Sequence, residues 1–120
     1  MDGEASVQSL KDTVKKFCDE RDWDQFHSPK ELAIGVITEA SELLEHFRFK
    51  TDKEIAQMLA DPKKRESISE EMADTLYFLL RMSQLYEIDL SEAFTRKMSK
   101  NEKNYPLEKT KGKNVKYTEL

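Results

Sequence analysis

The chain is short of several residue types. Its 120 residues include one cysteine, Cys18, three glycines, three prolines and one tryptophan. A single cysteine excludes an internal disulfide framework and any all-cysteine zinc site. So few turn-formers exclude an all-β protein cut by many tight turns. Long apolar runs are missing as well. The longest, Leu76 to Leu80, falls far short of the roughly 20 residues needed to span a bilayer, so no membrane association is expected. Positive charge is not in excess: 20 Lys and Arg stand against 24 Asp and Glu, a formal charge of −4, which argues against a nucleic acid polymer as partner. The opening MDGEASVQS has neither a basic stretch nor an apolar core, so no secretion signal is expected and the chain reads as cytoplasmic.

What remains is a single helical domain spanning 1–120. Hydrophobic residues make up 38% and charged residues 37%. A chain this short and this poor in apolar residues is expected to complete its core with a partner subunit. Val7, Leu10, Val14 and Phe17 recur at helical spacing, so a first helix is predicted from Ser6 to near Asp22. Trp23 to His27 then forms an aromatic connector. Ser28-Pro29-Lys30-Glu31 supplies an N-cap, a proline at the first helical position and a glutamate at the third, which together predict a helix running to about Phe47. A short helix over Asp52 to Ala60, with Ile55 and Leu59 inward, precedes a long one from Asp61-Pro62 to about Tyr86. Asp89 with Glu92 opens a last helix that Pro106 ends. The segment from 107 to 120, rich in lysine, is expected to be an extended tail.

On a wheel of 100° per residue, Leu32, Val36, Ala40, Leu43, Leu44 and Phe47 share an arc of roughly 120°, the expected core stripe. Glu39 and Glu42 lie just beyond its edge, one turn apart. The long helix repeats the device: Glu71 and Asp74 are also three apart, and Glu71 shares a seven-residue stripe with Phe78 and Leu85. An acid within an apolar stripe is informative because an exposed one needs no explanation. Two antiparallel helices would bring the four carboxylates together. Like charges about 4 Å apart repel by roughly 4 kcal/mol at an effective dielectric near 20. Such a set therefore holds protons or a cation. All-oxygen donors suit Mg²⁺, with Mn²⁺ as the alternative. Acidic pairs at this spacing are more often plain solvated surface, as Glu42 with Glu45 reads here. A di-iron bundle would need Glu-x-x-His on two helices, and neither His27 nor His46 has a glutamate three residues before it.

Glu39-Ala40-Ser41-Glu42 followed by Glu71-Met72-Ala73-Asp74 resembles the ExxE…ExxD signature of the MazG-like all-α nucleoside triphosphate pyrophosphohydrolases. Arg21 to Pro29, the Lys97-Met98…Asn101…Tyr105-Pro106 segment and the closing Lys116 to Leu120 resemble the dCTP pyrophosphatase subgroup. The resemblance covers nearly the whole chain. It implies a four-helix-bundle-like MazG-type fold, assembled as a homodimer or homotetramer. It also implies Mg²⁺-dependent hydrolysis of a deoxynucleoside triphosphate, dCTP or a modified relative, to the monophosphate and pyrophosphate, a reaction of nucleotide-pool sanitation. Glu39, Glu42, Glu71 and Asp74 inherit the metal-holding role, with Glu39 taken as the general base, although the sequence does not separate it from Glu42.

For the base, Trp23 and His27 precede the second helix, where an aromatic face stacks on a nucleobase for roughly 1–3 kcal/mol. Core packing for Trp23 and a plain loop role for His27 stand beside that reading. Lys97, Asn101 and Tyr105, each four apart, line one face of the last helix and suit phosphate and sugar oxygens, although a lone lysine on a charged helix is usually only solvated. Phe49 stands where a relative in the subgroup has a second tryptophan and Val14 where it has a histidine, so Phe49 is a candidate pocket liner and base preference is open. Phe78 serves the pocket wall or the core. Two further readings stay beside this one: a MazG-type enzyme of broad triphosphate specificity, and a non-catalytic helical interaction module whose acids hold a structural cation.

Overall fold

The computed structural model describes residues 1–120, all helix and connecting turn with no strand. It divides into two compact units, Met1–Glu87 and Ile88–Leu120. No helix is long and apolar enough to cross a membrane.

In the first unit, α1 spans Val7–Asp19, α2 Pro29–Glu45, α3 Asp52–Ala60 and α4 Pro62–Leu85. Each start has a local cause. The Ser6 and Thr51 side chains accept the backbone N–H of Ser9 and Glu54, and those residues' side chains return the bond to the cap backbone. Ser28 and Asp61 cap α2 and α4, each followed by proline at the first turn, where the missing N–H costs nothing. Helix α1 ends at Asp19 rather than near Asp22, because Asp22 adopts a left-handed backbone, φ 53°, and turns the chain into a single 3-10 turn over Asp24–Phe26.

Helix α4 is the hub, packing against α1, α2 and α3. Val14, Cys18, Leu32, Met58, Ile68 and Leu80 form the buried apolar core. On α3 the buried residue is Met58; Ile55 is half-buried and Leu59, expected inward, is 37% exposed.

The buried arc of α2 differs from the expected one. Leu32 is buried and Gly35, Val36, Glu39, Leu43, His46 and Phe47 are half-buried, whereas Ala40 and Leu44 face outward. At 100° per residue this rotates the arc by roughly 60°, so Glu39 falls inside it rather than beyond its edge. Gly35 is the cause. A Cβ built there would overlap Phe78 Cδ1 and Cε1 and stand 2.7 Å from Cζ, so only glycine lets the ring lie against the α2 backbone.

In the second unit, α5 spans Leu90–Asn104 and α6 is a single turn, Leu107–Thr110. Asp89 caps α5 by accepting the Glu92 N–H at 2.9 Å. The segment expected to be a plain extended tail instead carries α6 and a 3-10 turn over Tyr117–Glu119. The Tyr117 N–H donates to the Tyr105 hydroxyl at 3.2 Å, and the two rings meet edge to face at 5.8 Å.

Candidate metal centre and aromatic connector

Helix α2 carries Glu39 and Glu42 one turn apart, and α4 brings Glu71 to meet them. Carboxylate oxygens of all three lie within 4.8 Å of one another. Asp74, the fourth expected acid, is one turn beyond Glu71 and exposed. It stands outside that tight set, yet its charge acts on both Glu39 and Glu71.

The electrostatics follow from the packing. Burial pushes the Glu39 carboxyl above the ordinary carboxylate range; the adjoining Glu42, then Asp74 and Glu71, push it further. Glu71 is raised by burial first, then by Glu42 and Asp74, with His46 acting the other way. One oxygen on each of these residues, Glu39 Oε2 and Glu71 Oε2, is buried with no hydrogen-bond partner. Buried polar atoms are almost always partnered, so two orphaned carboxylate oxygens in one cluster call for something that binds oxygen. A divalent cation fits: the donors are all oxygen, the charge is concentrated, and the lone pairs are free.

Two neighbours of this cluster are new. His46 Nε2 lies 3.8 Å from Glu71 Oε1, and Glu45 and His46 join Glu42 and Glu71 in lining an open cleft of about 390 Å³. His46 follows Glu42 by four residues, so the helical wheel that grouped the acids also contained it. Glu45, which reads as solvated surface from its spacing alone, borders the cleft.

The aromatic connector is built from three elements. Phe17 of α1 meets Trp23 edge to face at 5.5 Å, and Trp23 meets His27 at 6.2 Å. The Arg21 guanidinium lies 3.8 Å from the Phe17 ring centroid. Trp23 is 37% exposed, so one part of the indole packs and the rest stays open. Phe26, by contrast, is 62% exposed.

Arg81 of α4 holds the connector down. Its side chain is fully buried. Nε–H donates to His27 Nδ1 at 2.8 Å, one terminal nitrogen donates to Gln84 Oε1 at 2.6 Å, and the other pairs with the Asp24 carboxylate. The Tyr86 hydroxyl donates to the His27 carbonyl at 2.7 Å. Burial, and then the Arg81 charge, lower the His27 pKa below its usual value, against an opposing pull from Asp24. Arg81 carries one signal in the sequence, a lone cation between the apolar run Leu76 to Leu80 and Met82.

The remaining candidates separate by place. Phe78 is half-buried on Gly35, one turn past Asp74, with Tyr77 edge-on at 5.0 Å. Phe49 follows α2 with φ 63° and is 89% exposed, covered only by the Arg48 guanidinium at 4.7 Å. Val14 is buried in the core. In the second unit Lys97 is exposed on α5. Asn101 is half-buried and directs its amide toward Met98 Sδ at 3.9 Å, and Tyr105 closes the helix with its hydroxyl engaged by Tyr117.

Comparison with known proteins points the same way. The MazG-like family model matches residues 34–120. The dCTP pyrophosphatase 1 of Mus musculus is 34% identical over 117 residues, covering 98% of this chain and 69% of the relative. The human dCTP pyrophosphatase 1 is likewise 34% identical, with the same coverage. Among solved structures, a pyrophosphatase from Archaeoglobus fulgidus DSM 4304 superposes with a TM-score of 0.76 at 38% identity, covering 82% of this chain and 91% of that one.

Proposed function

We propose, for a chain that belongs to the MazG-like family, that it hydrolyses dCTP or a modified dCTP to the monophosphate and pyrophosphate with Mg²⁺ as cofactor. The observation that carries the reading is the convergence of Glu39, Glu42 and Glu71 around two buried, unpartnered carboxylate oxygens. Family membership and the dCTP pyrophosphatase relatives support nucleoside triphosphate pyrophosphohydrolase activity in general.

The residues divide the work. Glu39, Glu42 and Glu71, with Asp74 one turn away, hold the divalent ion, and Mn²⁺ is the alternative occupant. When bound, the ion supplies charge neutralisation for the triphosphate oxygens. Glu39 is the general base that takes the proton of the attacking water, because of the two α2 acids it lies inside the buried arc, nearest the core. Trp23 offers the open part of its indole to the base, with His27 beside it. Phe78 walls the space between α2 and α4. Lys97 and Asn101 of α5, with Tyr105 at its C-terminal end, are assigned to phosphate and sugar oxygens. Phe49, being 89% exposed, is the weakest of the base-pocket assignments. Its exposure favours a second reading, a MazG-type enzyme of broad triphosphate specificity.

A panel of ribo- and deoxynucleoside triphosphates with Mg²⁺, resolved by chromatography, tests the proposal. The expected result is dCMP and pyrophosphate in equal amounts, with dCTP turned over fastest. Inorganic phosphate with dCDP left behind would exclude the proposed bond, and equal rates across bases would favour the broad enzyme. No turnover of any nucleotide, with Mg²⁺ still raising the melting temperature, would leave the interaction module.

A further inference from the structure

A buried guanidinium with three different side-chain partners is an expensive feature, and the acid cluster makes no use of it. Arg81 sits ten residues after Glu71 on α4, roughly 15 Å along the helix. Its charge is permanent, so burial is tolerated only with partners that satisfy it. Asp24 answers the charge and Gln84 takes one N–H. The third bond is the informative one, because Nε–H donates to His27 Nδ1. A neutral imidazole has one donor and one acceptor nitrogen, and a ring nitrogen that accepts carries no proton. The proton therefore resides on Nε2. Tyr86, donating to the His27 carbonyl, fixes the backbone of the same residue.

We propose that Arg81 is a positioning residue: it locks His27 as the neutral Nε2–H tautomer, a single hydrogen-bond donor for an acceptor atom on the nucleobase. The proposal rests on the reading of Trp23 and His27 as the base site. His27 then neither carries the positive charge that would suit a phosphate nor serves as a proton acceptor at Nδ1. Specificity follows from the donor: a base that offers a carbonyl oxygen or bare ring nitrogen at that point is accepted. One that offers an N–H leaves two donors facing each other, a loss larger than that of a missing contact.

Nitrogen-15 NMR of the uniformly labelled, nucleotide-free full chain reads the tautomer directly. The expected spectrum at neutral pH has the His27 Nε2 protonated and Nδ1 bare. A doubly protonated ring or an Nδ1–H tautomer overturns the proposal without reference to any substrate. Arg81→Lys retains one donor and should preserve the tautomer in part. Arg81→Met fills similar volume without a donor, and should give a tautomer mixture together with a KM for dCTP raised about tenfold, the scale of one hydrogen bond. The kcat should change far less than the KM. An unaltered tautomer and KM in a folded Arg81→Met would refute the positioning role, and should that variant fail to fold, the wild-type spectrum and Arg81→Lys still decide. If no nucleotide is turned over, the functional reading fails, whereas the tautomer measurement continues to judge Arg81.

Discussion

Gly35→Ala should destabilise the protein although alanine is the better helix former. In an exposed helix the change gains about 1 kcal/mol. Here the added Cβ would overlap two atoms of the Phe78 ring and stand 2.7 Å from a third, where carbon atoms prefer roughly 3.5–4.0 Å. The ring or the helix must retreat by about 1 Å, and neither is free to do so cheaply. Phe78 is braced edge-on by Tyr77 at 5.0 Å, and the Tyr77 hydroxyl is held 3.2 Å from the buried Cys18 sulfur. Overpacking costs about 1–3 kcal/mol, and an overlap with two ring atoms belongs at the upper end, about 2–3 kcal/mol, so after the helix gain the net loss is about 1–2 kcal/mol. For a domain of this size that lowers the melting temperature by roughly 3–10 °C.

The consequence for the site is more specific. Gly35 lies one turn before Glu39, and Phe78 lies one turn past Asp74, so the strain acts on the spacing of α2 and α4 where the acids meet. Thermal melts with chelator and with excess Mg²⁺ would show both effects. Gly35→Ala should melt lower in chelator and gain less from Mg²⁺ than the parent, because stabilisation by an ion tracks its affinity. Gly35→Ala combined with Phe78→Leu should recover part of the loss. A Gly35→Ala protein that melts at or above the parent temperature would refute the close approach of α2 and α4.

Stability should also depend on pH in a direction set by Glu39. Its folded-state pKa is raised, so its contribution is fully present in acid, below the ordinary carboxyl value, and is lost as pH climbs through the raised folded value. In chelator, Glu39→Gln should therefore gain on the parent in melting temperature as pH rises above the ordinary carboxyl range; a constant difference between the two at all pH values would contradict a carboxyl whose proton affinity is raised by folding. Glu71→Gln and Asp74→Asn should each abolish turnover while circular dichroism stays helical, and near-normal activity in either would remove that residue from the metal set. A homo-oligomer is expected by sedimentation, because Ile37 and Leu44, seven apart on α2, are 70% and 59% exposed, and Met72 on α4 is 58% exposed. A fully active monomer would dismiss that expectation.

Helix starts were legible because they depend on a few adjacent residues. Thr51 and Glu54, Ser28 with Pro29, and Asp61 with Pro62 act within one turn of chain, and α3 runs over the residues expected of it. The meeting of Glu39, Glu42 and Glu71 was legible for a related reason: helical spacing sets which carboxylates share a face, and only one long helix was available to oppose α2. The facing of α2 was a different matter. Hydrophobicity alone pointed the arc at Ala40 and Leu44, but those residues are small or outward, and what decided the rotation was a missing side chain. Gly35 permits contact with a ring 43 positions later, and no pattern within α2 records that partner.

Arg81 shows the same limit from the opposite side. An arginine amid leucines and methionine on a helix reads as a surface residue or an error in the stripe, and its burial makes sense only with partners 54 and 57 positions earlier in the chain. Local rules therefore assign the acids to a site but not the connector to its anchor. The distinction has a physical origin. The acid pairs are made by secondary structure, whereas the orientation of His27 depends on its tertiary bond to Arg81 of α4. On the proposed function, ion binding and base recognition are therefore separable, and damage to Arg81 should leave the first while loosening the second.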